Sequence, residues 1–145
     1  MNIRKRTALL AATAILGGGL ATAAPAAASA QAGWTAHTAA SDVGGVHASG
    51  NIYKRGDDRV QLTGTLKDTK TDGKLAILQI SAKYADGGSR YEYDVTGKSK
   101  QLGSAGGYNF ASAVRSIKVQ ECRGHKTGSG RLVLDKCGRG WHAIW

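Results

Sequence analysis

Apolar side chains recur at every second position over several short stretches of the chain, and almost nowhere at helical spacing. Val60-Gln61-Leu62-Thr63-Gly64-Thr65-Leu66 alternates with period two, and Leu75–Tyr84 sets Ala76, Leu78, Ile80, Ala82 and Tyr84 on one face. A strand with one face on a core and the other on solvent reads this way, because successive side chains leave a pleated strand on opposite sides. Tyr91, Tyr93 and Val95 alternate with Glu92 and Asp94, and Ile117 and Val119 alternate with Lys118 and Gln120 before Cys122. At the C-terminus Trp141, Ala143 and Trp145 share one face, and His142 and Ile144 the other. Gly56-Asp57-Asp58, Asp72-Gly73, Asp86-Gly87-Gly88 and Gly103–Gly107 separate these runs with residues that tolerate positive φ. No segment carries an apolar stripe at helical period for three turns; Phe110–Ile117 comes nearest and reads better as a strand entered through a bend, with one helical turn as the alternative. Strands about ten residues apart, without crossover helices, predict an all-β fold: an antiparallel, immunoglobulin-like β-sandwich of about seven strands.

The N-terminus breaks from this pattern. Arg4, Lys5 and Arg6 precede an apolar run from Ala8 to Ala24, and small residues then crowd toward Ala28-Ser29-Ala30 and Ala30-Gln31-Ala32. Either triplet presents the small side chains that signal peptidase accepts, so residues 1–32 read as a secretory signal cleaved near Ala30 or Ala32, with Ala32 favoured. A secreted, extracellular protein is the expectation. Residues 33–45 are small, nearly uncharged and glycine-containing. They read either as a flexible N-terminal arm, which would offer Trp34, His37, Val43 and Val46 to a partner, or as the first strand of the domain. Residues 46–145 form the sandwich.

Composition sharpens the picture. The 145 residues carry 20 Lys+Arg against 10 Asp+Glu, a formal charge of +10. The first 32 residues hold three of the cations and no acid, so the remainder stays basic. A domain this small buries a modest fraction of its surface and gains from a staple. Cys122 and Cys137 are the only cysteines. In an oxidising compartment they are expected to form one disulfide, worth about 3 kcal/mol in the chain-entropy account. The bridge would enclose a glycine-rich basic loop from Arg123 to Lys136, whose Arg123, Lys126, Arg131 and Lys136 are candidates for contact with a partner.

Catalytic chemistry is poorly marked. The acids sit largely in turns, unlike a facing pair for glycoside hydrolysis, and Gly128-Ser129-Gly130 is a bare loop rather than a nucleophile elbow. A basic nuclease or hydrolase would need Glu92 or Glu121 to meet His125 or His142 in one pocket. Two thiols and two distant imidazoles do not make a zinc site. The reading is a non-enzyme with no catalytic residue, no cofactor and no metal. The cationic surplus suits an extracellular protein partner or an anionic cell-wall polymer better than nucleic acid, and no segment is suited to membrane insertion. A secreted inhibitor of a protease or other hydrolase, presenting the bridged loop, is the alternative.

The alanine-rich export signal, the run Val60–Thr69 leading into Asp72-Gly73-Lys74-Leu75-Ala76, the late strand Ser116–Cys122, and Cys137-Gly138 before a tryptophan-rich terminus together point outward. The chain resembles the small secreted sandwich proteins of filamentous actinobacteria, among them the adaptor subunit of umbrella toxin particles. That resemblance implies a non-enzymatic adaptor joining the stalk of a large toxin to lectin subunits, with an extended N-terminal segment inserting into the lectin. No catalytic residue carries over.

Overall fold

A computed structural model describes residues 30–36, 43–104 and 106–145. Among these residues all regular structure is strand: β1 (Ala32–Thr35), β2 (Val46–Lys54), β3 (Val60–Asp68), β4 (Leu75–Tyr84), β5 (Ser89–Thr96), β6 (Ser99–Gln101), β7 (Tyr108–Phe110), β8 (Val114–Lys126), β9 (Leu132–Cys137) and β10 (His142–Ala143). Ten strands replace the expected seven or so because two long strands each share one edge between two short ones. In the first sheet, ordered β1-β2-β3-β6, β7 also pairs with β3. In the second, ordered β10-β8-β4-β5, β9 also pairs with β8. Every pairing is antiparallel. The apolar faces of the two sheets close on a common core, as the alternation in β3 and β4 requires.

Phe110, Ile52, Leu62, Leu66, Leu78, Ile80, Ile117 and Val119 fill that core. The turns fall at the glycine- and aspartate-rich sites. Asp58 at φ 64° closes the β2–β3 hairpin, where Asp58 N–H donates to the Arg55 carbonyl at 3.0 Å. Gly87 at φ 85° closes β4–β5, its N–H donating to the Tyr84 carbonyl at 3.1 Å. The bend anticipated after Phe110 is the Ala111–Val114 turn, with Val114 N–H on the Ala111 carbonyl at 3.0 Å.

The N-terminal residues join the domain. Ala32–Thr35 pair with Ile52–Ser49 of β2, so the first-strand alternative is the one realised over this stretch. Trp34, Gly50 and Gly64 lie side by side across β1, β2 and β3. Neither glycine has room for a Cβ, which would strike backbone atoms of the other strand. The space left by two missing side chains takes the indole, and Trp34 Nε1–H donates to the Thr63 carbonyl at 3.1 Å. Trp34, Val43 and Val46 are 6%, 1% and 4% exposed. This corrects the expectation that they contact a partner: a side chain already buried in its own core has no apolar surface left to give. His37 lies outside the described residues.

Two buried carboxylates tie the sheets together. Glu121 of β8 points between the layers, where Oε1 accepts the Ala48 N–H of β2 at 2.7 Å. Asp94 of β5 accepts Gly103 N–H at 2.8 Å, the Tyr108 hydroxyl at 2.9 Å and the Lys100 ammonium. Burial and the bond to Asp94 both push the Tyr108 phenol far above its ordinary pKa.

Candidate functional site

The segment Arg123–Lys136 is not a loop. It is the end of β8, a short tip and β9, paired from Cys122↔Cys137 to Lys126↔Leu132, and this corrects the expected glycine-rich loop. The disulfide joins directly opposed positions, Cys122 inside β8 and Cys137 at the end of β9. Gly124 is obligatory at the bulge in this ladder, where a Cβ would collide with the Val133 carbonyl. The tip is ordered by its own bonds. Thr127 N–H donates to the Arg131 carbonyl at 2.9 Å, Gly130 N–H to the Thr127 carbonyl at 2.8 Å, and Arg131 N–H to Thr127 Oγ1 at 3.2 Å. Gly130 supplies the positive φ of 81° that this turn needs.

The four cations proposed on this segment have different fates. Lys126, Arg131 and Lys136 are exposed on the hairpin. Arg123 is half-buried and engaged by Asp72 in the β3–β4 connection, so it holds the hairpin to the body instead of facing a partner. A second tie was not anticipated: Asp135 binds His125 Nδ1 at 2.7 Å and Lys74 Nζ at 2.8 Å. Lys74 and His125 hold the Asp135 carboxyl below its ordinary pKa. Residues 125 and 135 are ten apart and could have been matched by folding the hairpin about Gly128-Ser129-Gly130, but that needed the hairpin reading first. Beside the hairpin lies a cleft lined by Lys70, Lys74 and Lys98 together with Asp68 and Leu75. Hairpin and cleft therefore form one cationic end of the sandwich.

Of the residues a hydrolase would need, Glu92 and the two histidines lie apart from one another. Glu121 is sealed between the sheets, and Glu92 accepts Arg90 Nε at 2.8 Å on the opposite edge of the second sheet. His142 stands beside Val119, six residues from His125 along β8, or about 20 Å at strand rise. Glu92 and His142 share a cross-strand row but are separated by Ile80 and Val119, about 14 Å in all. Among the described residues no group of three or more His, Cys, Asp or Glu is placed to hold a metal ion. No helix among them is long and apolar enough to cross a membrane. In comparisons with known proteins, no protein-family model, no curated protein and no solved structure matches this chain.

Proposed function

We propose that this chain is a secreted, non-enzymatic adaptor that binds an acidic protein partner through its cationic β8–β9 hairpin. One observation carries the reading: Lys126, Arg131 and Lys136 are exposed on a hairpin held by a disulfide at its base and by hydrogen bonds across its tip. Such an element loses little conformational entropy on docking, and its charge steers an acidic surface toward it. The resemblance to umbrella-toxin adaptors supplies the class of partner, the stalk and lectin subunits of an extracellular toxin particle. The test is recovery of partners from culture supernatant with the full exported chain and with a Lys126→Ser, Arg131→Ser, Lys136→Ser variant. The expected result is a stalk or lectin subunit held by the native chain and lost by the variant; retention of the same proteins by both refutes the hairpin as the docking element.

The pre-ordered tip also favours the inhibitor reading, since a rigid exposed loop with Arg131 at its end suits the cleft of a trypsin-like protease. Stoichiometric inhibition abolished by Arg131→Ala would select that reading over the adaptor.

A further inference from the structure

The two sheets present different outer faces. β2 and β3 turn His47, Ser49, Asn51, Thr63, Thr65 and Lys67 outward, a polar surface with one half-buried ring, Tyr53, at its end. The second sheet turns out aromatic rings. Tyr91 and Tyr93 of β5 are 67% and 63% exposed, and Trp141 and Trp145, flanking β10, are each 40% exposed. The reason is the inversion of β5: Asp94 goes inward to Lys100, Gly103 and Tyr108, and period-two alternation then forces both tyrosines out. At the other edge Ile144 packs against the core, which turns Trp145 to the outside.

Register arranges these rings around polar side chains. Tyr93, Gln79 and Gln120 lie in one row across β5, β4 and β8, and Trp141 continues it by extension of the His142↔Val119 pairing. The next row is Tyr91, Ser81, Lys118 and Ala143. Lys83 occupies the next outward position on β4, and it and Lys118 are exposed. Among the described residues no Asp or Glu side chain shares this face. Glu92, Asp94 and Glu121 occupy the inward positions of their strands, and Asp135 is tied to Lys74 and His125.

We infer that this face is a second binding surface, distinct from the hairpin, and that it takes an acidic polysaccharide built of uronate rings. A flat row with an aromatic ring at each end, about 14 Å apart, matches a ligand of about three linked sugar rings lying across the strands. The C–H faces of pyranose rings stack on Tyr93 and Trp141, the carboxamide of Gln79 donates to and accepts from ring hydroxyls, and Gln120, whose Nε2 donates to the Gly138 carbonyl at 2.9 Å, offers its carbonyl oxygen. Lys83 and Lys118 meet the carboxylates on a face where no described Asp or Glu side chain stands beside them. A single-stranded nucleic acid would also stack on aromatics. Its denser phosphate charge calls for a run of cations along its path, whereas the row between Tyr93 and Trp141 holds only the neutral amides of Gln79 and Gln120.

The test is calorimetric titration of the full exported chain with galacturonate oligomers of three to six rings and, separately, with a thymidine oligonucleotide of equal charge. The variants are Tyr93→Ser, Trp141→Ala and, at the hairpin, Lys126→Ser with Arg131→Ser; thermal melting confirms that each folds. The expected result is saturable uronate binding that each face variant weakens about tenfold and the hairpin variant leaves within about twofold. Absence of uronate binding overturns the inference, as does tighter binding of the oligonucleotide, or a loss confined to the hairpin variant. Those outcomes leave the partner-recovery test of the hairpin untouched, so the two readings fail separately.

Discussion

Replacing Trp34 with alanine separates a strand from an arm. The indole lies over Gly50 and Gly64, is 6% exposed, and donates from Nε1 to the Thr63 carbonyl at 3.1 Å. Truncation removes about 150–250 Å² of buried aromatic surface, an upper bound of about 4–6 kcal/mol at 25 cal/mol per Å². The cavity cannot close by side-chain movement, because its floor is two glycines with backbone in contact. A loss of about 3–5 kcal/mol is expected, in line with buried aromatic truncations and a large share of the stability of a small domain. Urea unfolding of the disulfide-intact protein, followed by far-UV circular dichroism, measures it. A loss below about 1 kcal/mol, which an exposed arm residue would give, refutes the burial argument. Trp141→Ala, at an exposed site, is the internal control and should fall below that figure.

Reducing the Cys122–Cys137 bridge, which closes a loop of sequence separation 15, should lower stability by about 3 kcal/mol; unchanged urea midpoints with and without reductant would contradict this. Glu121→Leu removes the acceptor for Ala48 N–H and should cost about 1–3 kcal/mol, with Glu121→Gln closer to the native protein because a carbonyl acceptor remains; equal losses for both would show that the bond is immaterial. Tyr108 has its folded pKa raised, so its stabilising contribution is full below the unfolded value of about 10 and is lost as pH rises beyond it. Ultraviolet titration should show Tyr108→Phe abolishing one late-ionising phenol. For Asp135 the folded pKa is lowered, so its contribution is present above the unfolded value and disappears as pH falls through the folded one. Lys74→Ala should move the Asp135 carboxyl back up, read by carbon-detected NMR.

Period-two patterning determined the fold class by itself. Leu75–Tyr84 is a strand in both sequence and structure, and its face Ala76, Leu78, Ile80, Ala82 and Tyr84 packs inward, because alternation is local and burial of one face follows from it. The glycine and aspartate clusters marked turns for an equally local reason, tolerance of positive φ. What only the tertiary structure decided are facts about partners distant in the chain. Alternation divides β5 into a tyrosine face and an acid face, and hydrophobicity alone would bury the tyrosines. The reverse happens because Lys100, Gly103 and Tyr108 arrive from the other sheet to satisfy Asp94. Glu121 continues the inward face of Ile117 and Val119 and is a structural tie, since the N–H it accepts belongs to a residue 73 positions away. Trp34 reads as a lone apolar residue in a small-residue segment until Gly50 and Gly64 are aligned beneath it. The aromatic face is assembled from β5, β4, β8 and the C-terminus, and strand order, which no local pattern encodes, is what sets those residues side by side.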